Sequence, residues 1–156
     1  MSLQPVVIYE EDDRELSERL DAFLRASRAS LVILIDRSGQ VISQRGYTKQ
    51  RPAEELAAMA AAAFAATEQV ARIIGENSFS VLFHEGEEQN VHLSVVGENA
   101  LMLTAFDDRT TLGLVRLYAG EATDALLPIC TRIHSRSAGA PLPRAEAGDL
   151  FTPDEA

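Results

Sequence analysis

The longest regular pattern of apolar residues runs from Pro52 to Gly75 and predicts a long helix. Proline stands where a helix can begin, alanine fills the middle, and glycine follows the last apolar pair as a C-terminal stop. At 3.6 residues per turn, one side of this helix collects the residues that we expect to pack on a core. They are Leu56, Met59, Ala60, Ala63, Thr67, Val70, Ile73 and Ile74.

The opposite side of this helix presents alanine where a solvated face normally presents lysine and glutamate. It carries Glu54, Ala58, Ala61, Ala65, Glu68, Gln69 and Arg72, with Phe64 on its flank. Small residues let another backbone come close, so this side is either a contact surface or a stretch in which alanine only raises helix propensity. The pattern of this helix alone leaves both interpretations open.

The remaining patterns predict two more helices and five strands. The first helix carries apolar residues at helical spacing, and the strands are short apolar runs bounded by turn residues. The predicted elements are a helix with Leu16, Leu20, Phe23 and Leu24, strands at 31–35, 40–43, 79–83, 91–95 and 100–106, and a last helix at 111–135. Gly120 and Pro128 should weaken or kink that last helix.

The chain is long enough for one self-sufficient core, since it has 156 residues of which 46% are hydrophobic. We expect one α/β (α+β) domain at residues 1–135 and a disordered acidic tail at 136–156. The tail contains a possible docking pair, Leu150 and Phe151.

Charge and cysteine content narrow the class of protein. The net charge is -10 and no stripe of lysine and arginine is present, which argues against a nucleic-acid partner. A single cysteine suits a reducing compartment, and no apolar run approaches a membrane span. We therefore expect a soluble cytoplasmic protein.

Recognisable catalytic chemistry is absent from the sequence. It has no glycine-rich phosphate loop, nucleophile elbow, paired-cysteine spacing or H-E-x-x-H motif. His84 and His92 lack an evident third ligand, so we interpret them as surface or half-buried residues. Cys130 fits a core position, and helix capping explains Asp107 and Asp108. We expect no catalytic residue, no metal and no cofactor, and hence no enzyme.

Two separated motifs resemble the signatures of Roadblock-type domains. The first is L-I-D-R-S-G-Q-V-I at 34–42, and the second is F-D-D-R-T-T-L-G-L-V-R at 106–116. The segments I-G-E-N-S-F at 74–79 and F-H-E-G at 83–86 are similar to a narrower subgroup, the bacterial MglB proteins. Members of that subgroup regulate the small Ras-like GTPase MglA in cell polarity and gliding.

The resemblance implies a five-stranded antiparallel sheet with one helix on one face and two on the other, in the order α-β-β-α-β-β-β-α. It also implies a homodimer in which the strand at 79–83 joins its counterpart edge to edge and the long helices lie antiparallel. The dimer-interface residues would be Phe64, Phe79, Val81 and Phe83.

The resemblance further implies that one GTP-loaded GTPase docks across the paired helices and that its hydrolysis is stimulated without an inserted arginine. Arg72 would then be a rim charge, while Leu150 and Phe151 would touch the GTPase a second time. The binding residues would be Ala58, Ala61, Ala65, Glu68, Gln69 and Arg72. Relatives commonly have Gly-Asn where this chain has Ala62-Ala63, which is a departure from the pattern.

Two other functions stay open at the level of sequence. A Roadblock dimer can recruit a GTPase or another protein without activating it. A small-molecule sensor of this size is conceivable, but the predicted core offers no evident polar anchors. The resemblance favours the activating regulator, recruited in some settings to a cell pole.

Overall fold

The computed structural model of this chain describes residues 5–47 and 52–139. Within those ranges the chain forms three helices and five strands in the predicted order. The helices are α1 (Glu10–Ser27), α2 (Ala53–Ile74) and α3 (Leu112–Ala138), and the strands are β1 (Leu31–Asp36), β2 (Val41–Gly46), β3 (Val81–Glu85), β4 (Asn90–Val96) and β5 (Ala100–Phe106).

The five strands form one antiparallel sheet in the order β2-β1-β5-β4-β3. Strand β1 is apolar on both faces because helices cover both sides of the sheet there. Leu31, Ile33 and Ile35 pack with α2, whereas Val32 and Leu34 pack with α1 and α3. The predicted α+β fold, with one helix on one face and two on the other, is confirmed.

Helix α3 ends at Ala138, three residues beyond the predicted end of the domain. Ser137 Oγ accepts a hydrogen bond from the Val7 amide at 2.9 Å, so these residues belong to the folded unit. Neither Gly120 nor Pro128 interrupts the helix, and both lie on its exposed side. The rest of the predicted tail, including Leu150 and Phe151, lies outside the described residues.

Asp12 joins α1 to α3 through a buried carboxylate. Only 2% of Asp12 is exposed. Its Oδ1 accepts hydrogen bonds from Arg132 at 2.9 and 3.0 Å, and its Oδ2 accepts from the Tyr9 amide at 3.1 Å and from Arg136. Burial raises the pKa of Asp12, but hydrogen bonds from Arg136, the Tyr9 amide and Arg132 outweigh it and hold the pKa below its usual range.

His92 begins a buried polar row on the α3 side of the sheet. It pairs across the strands with Thr104, and Ser94 follows on the same face of β4. Both ring nitrogens and the two hydroxyl oxygens lack a hydrogen-bond partner among the described residues. His92 is only 2% exposed, so the prediction that it is surface or half-buried is wrong. His84 is exposed and pairs with Val91, which places the two histidines on opposite faces.

We predict that Asp12→Ala lowers the free energy of unfolding by about 2 kcal/mol, because it leaves two guanidinium groups without their shared carboxylate. Urea denaturation at neutral pH measures the change. The depressed pKa of Asp12 means that its contribution is present above the unfolded pKa and disappears as pH falls through the folded pKa. The difference from wild type should therefore shrink below about pH 4.

The exposed neighbour Asp13 supplies the matched control, since Asp13→Ala removes a carboxylate from the same helical turn. It should change stability by less than about 0.5 kcal/mol. Equal losses for the two variants would contradict the role of Asp12.

We predict that His92 makes stability fall as pH drops from about 6.5 to 5. Burial, and then the charge of Arg116, lower the pKa of His92 in the folded protein. The unfolded chain therefore takes up a proton that the folded chain refuses, and acid favours unfolding. His92→Leu should remove this part of the pH dependence in thermal melts.

The exposed His84 provides the comparison, because His84→Gln keeps the buried His92 and should therefore keep the acid-induced loss of stability that His92 causes. If His92→Leu and wild type lose the same stability between neutral and acid pH, the buried histidine is not responsible.

Candidate partner-binding surfaces

Helix α2 packs on the sheet through its alanine side. Ala57, Phe64 and Ala71 are fully buried, and Phe64 lies in a cluster with Ile33 and Leu101 of the sheet. The large residues that were expected in the core point outward instead. Met59, Val70, Ile73 and Ile74 are 50% to 83% exposed. The predicted orientation of the helix was therefore wrong by about a quarter of a turn.

Phe64 is not available to a second chain. None of its surface is exposed, and the guanidinium carbon of Arg37 lies 5.4 Å from its ring centroid. Its predicted place at a dimer interface is therefore wrong, because a side chain without exposed surface offers no area to a partner. Phe64 is the large apolar side chain that fills the space between an alanine-rich helix face and the sheet.

Close packing of the turn between β1 and β2 explains why this part of α2 carries small residues. Gly39 adopts a φ of +93°, and a Cβ on it would lie 3.0 Å from the Ala58 Cα and 3.5 Å from the Ala61 Cβ. Asp36 Oδ1 holds the turn by accepting hydrogen bonds from the amides of Ser38 and Gln40. A larger residue at Ala61, which is only 9% exposed, would push the turn away.

The outward surface of α2 is an uncovered apolar stripe. Its residues recur at helical spacing and are all exposed: Met59, Ala62, Ala66, Val70, Ile73 and Ile74. We call this set the α2 stripe. Contiguous exposed apolar surface of this kind marks interaction sites in folded proteins.

Strand β3 forms one edge of the sheet and carries two of the predicted interface residues. Val81 is 37% exposed, whereas Phe83 is half-buried because its ring stacks on Phe106 with centroids 6.2 Å apart. Phe79 precedes the strand, which begins two residues later than predicted, and is half-buried. The outer edge of β3 has no strand partner among the described residues.

A groove of about 510 Å³ lies beside α2, between the helix and the turn from β4 to β5. Arg37 braces it. Its Nη1 donates to Glu68 Oε1 at 2.7 Å and its Nε donates to the Glu98 carbonyl at 3.0 Å. These contacts tie three elements together. The sequence analysis did not predict these contacts, because it identified Arg37 only as part of a turn motif.

The structure brings the six predicted GTPase-binding residues together along one flank of α2. Ala58, Ala65, Gln69 and Arg72 are exposed, and Glu68 is half-buried through its ion pair with Arg37. Ala61 lines the groove but is buried, so its predicted outward placement is wrong. We call Ala58, Ala65, Glu68, Gln69 and Arg72 the α2 flank.

The cysteine and the aspartates that were considered as candidates for catalysis make structural contacts. Cys130 is buried among apolar residues, which raises its pKa to about 12 and leaves it unreactive as a thiolate. Asp107 binds Arg109, while Thr111 caps α3 by accepting from the Leu114 amide, so capping by the aspartates was a wrong prediction. The described ranges contain no cluster of potential metal ligands.

By length and composition, α2 is apolar enough to cross a membrane, unlike the other helices in the described ranges. The expectation that no apolar run approaches a membrane span in length and composition was therefore wrong. Alanine supplies much of the hydropathy, and Ala57, Phe64 and Ala71 are fully buried within the domain. In this structure one side of α2 packs against the sheet.

Comparisons with known proteins agree with this architecture. The MglB of Myxococcus xanthus is 36% identical, covering 81% of this chain and 96% of that chain, with a TM-score of 0.75. The gliding protein MglB from Thermus thermophilus is 31% identical, covering 84% and 99%, with a TM-score of 0.78. An MglB with a tetrameric arrangement is 31% identical, covering 85% and 99%, with a TM-score of 0.80.

A comparison with curated proteins gave no significant match. The family model for the Roadblock/LC7 domain matches residues 15–106, which run from the second turn of α1 to the end of β5. More than half of the chain lies in that match, which contains the first signature motif at 34–42, and the fold agrees with it. The chain therefore belongs to the Roadblock/LC7 domain family and resembles the MglB proteins within it.

Proposed function

We propose that this protein is a cytoplasmic homodimer that binds a GTP-loaded small Ras-like GTPase of the MglA type and stimulates its hydrolysis, in cell polarity or motility. The observations that carry the proposal are the uncovered α2 stripe and the unpaired edge of strand β3, in a chain 31–36% identical to MglB structures.

The α2 stripe supports the homodimer. Ile73 is 83% exposed and Met59 66%, and burying a side chain of this size contributes about 1.5–3 kcal/mol. The unpaired edge of β3 offers backbone donors and acceptors to another strand. A second copy that pairs with β3 and lays its own α2 against the stripe would cover both. In this arrangement the stripe replaces Phe64 as the apolar interface.

The α2 flank supports the GTPase site. Pairing two helices through the stripe leaves their flanks open, so the flanks of both protomers border one surface. Ala58 and Ala65 present little more than backbone there, and a partner can come close without displacing long side chains. Arg72 forms no ion pair among residues 52–139 and supplies a rim charge for orientation.

The arrangement favours activation by reshaping the GTPase. Hydrolysis of GTP needs a positioned water and a positive charge at the transition state. Arg37 is held by Glu68 and Glu98 and is therefore not free to reach a partner's nucleotide. A surface that binds the catalytically competent form of the GTPase more tightly than the resting form shifts the population toward it. The GTPase's own residues then do the chemistry.

We predict that Val70→Glu combined with Ile73→Glu converts the dimer to a monomer, because two buried carboxylates on each chain would face each other. Light scattering after gel filtration measures the mass, and circular dichroism checks the fold. The control is His134→Glu with Ser135→Glu, which adds the same charges at exposed positions of α3. A variant that keeps the dimeric mass would exclude the α2 stripe as the interface.

We predict that Ala65→Arg weakens binding of the GTP-loaded GTPase by at least about tenfold and leaves the dimer intact, since a long cation would occupy the flank. Fluorescence titration measures affinity, and single-turnover hydrolysis measures activation. Ala138→Arg, an equal change at the exposed end of α3, should alter neither.

Two outcomes separate the possible functions. Wild-type affinity in Ala65→Arg would rule out the flank as the binding site. Tight binding by the unaltered protein with an unchanged hydrolysis rate would leave the alternative, a Roadblock scaffold that recruits the GTPase without activating it.

A further inference from the structure

The two ends of α3 are anchored unequally. The C-terminal part buries three large apolar residues in the core that α3 shares with α1 and the sheet: Leu126, Ile129 and Ile133. The N-terminal part, residues 112–120, buries only Val115 and Ala119, and Val115 belongs to neither apolar cluster of the domain. We call residues 112–120 the α3 flap. Few buried apolar contacts are typical of a segment that opens locally, so the flap is the less firmly held part of α3.

Polar contacts increase this difference. In the C-terminal part of α3, Arg132 and Arg136 bind the buried Asp12 of α1. Ser137 accepts a hydrogen bond from the Val7 amide. None of the ion pairs in the described part of the chain includes a residue of the flap. The flap therefore lacks the ionic contacts that fasten the rest of the helix to α1.

Two glycines weaken the flap as a helix. Gly113 lies in its first turn and Gly120 at its end, and glycine lowers the stability of a helix relative to alanine. Packing does not require glycine at either position, because a Cβ built there would meet no atom of another element within 4 Å. The flap thus contains two flexible positions that the fold itself does not demand.

The α3 flap covers a polar part of the sheet. Helix α3 packs on β4, and the charge of Arg116 in the flap acts on His92 of that strand. His92, Ser94 and Thr104 are 2%, 7% and 0% exposed, and their ring nitrogens and hydroxyl oxygens have no hydrogen-bond partner among the described residues. A buried polar group without a partner loses the hydrogen bonds that water would supply. Opening of the flap would return these groups to water, so the polar row opposes closure.

A proton on His92 would place a second positive charge beneath the flap. Arg116 supplies the first and is the only charged residue of the flap. The neighbours of His92 on this face of the sheet carry no charge that could offset the pair: Phe83, Asn90, Ser94 and Thr104. Burial, and then the charge of Arg116, lower the pKa of His92 while the flap is closed, so the closed form favours the neutral ring.

We propose that the α3 flap is a proton-sensitive lid that lifts from the sheet when His92 takes up a proton. In the lifted state water hydrates the imidazolium ring and the hydroxyl groups of the row, and Arg116 moves away from the new charge. The C-terminal part of α3 stays in place, because the core and Asp12 hold it. The flap lies on the face of the sheet opposite α2, so this inference does not depend on the proposed function.

Hydrogen exchange of the α3 amides, corrected for the intrinsic effect of pH on exchange, tests the lid. At both pH 7.5 and pH 5 the flap amides should exchange faster than those at 126–133, and low urea should accelerate only the latter, which need global unfolding. Between pH 7.5 and pH 5 protection in the flap should fall by about tenfold to thirtyfold. A histidine with its ordinary pKa of about 6.5 gains a proton over this range in the open form only.

Two variants identify the proton acceptor and the charge above it. His92→Leu should abolish the fall in protection, and Arg116→Gln, a change at an exposed position that spares the fold, should make it smaller. Arg19→Gln, the same change on exposed α1, is the control and should leave it as in wild type.

Two results would overturn the lid. One is exchange of the flap amides with the same rate and urea dependence as those at 126–133, since the flap would then open only by global unfolding. The other is a fall in flap protection that His92→Leu and Arg116→Gln both leave at its wild-type size.

Discussion

The close seating of α2 on the sheet is the constraint on which the rest of this domain depends. Its buried side consists of alanines around one large residue, Phe64, and such a face lies near the strands beneath it. Seating the small residues inward turns the large apolar residues of the same helix outward. The exposed stripe therefore follows from how the core is filled, and the stripe and the core are two sides of one helix.

Polar contacts hold the helices and turns in place on both faces of the sheet. On the α2 side, Arg37 fastens the turn after β1 to Glu68 and to the Glu98 carbonyl, so the groove beside the helix is braced before any partner arrives. On the other side, Asp12 fastens α1 to α3. The sheet thus separates a face that carries α2 with its exposed stripe from a face held together by its own ion pairs.

Sequence patterns predicted the type and order of every element, because periodicity reports helices and strands directly. They failed on the orientation of α2, since the periodic pattern gives most weight to Met59, Val70 and Ile73, and these residues belong to a surface that the protomer does not cover. The brace at Arg37 and the burial of His92 depend on which strands become neighbours. The patterns in a single sequence do not specify which strands become neighbours. The overall fold was predicted from the family resemblance instead.

The strand order has a consequence for how the chain is made. Strand β5 is the last strand to be synthesised, yet it lies between β1 and β4 at the centre of the sheet. Until it arrives, the apolar β1 has β2 on one side and an open edge on the other, and this is the condition in which strands recruit the wrong neighbour. An emerging chain keeps that edge open through the synthesis of α2, β3 and β4. The sheet therefore gains its central pairings only when β5, its last strand in sequence, is in place.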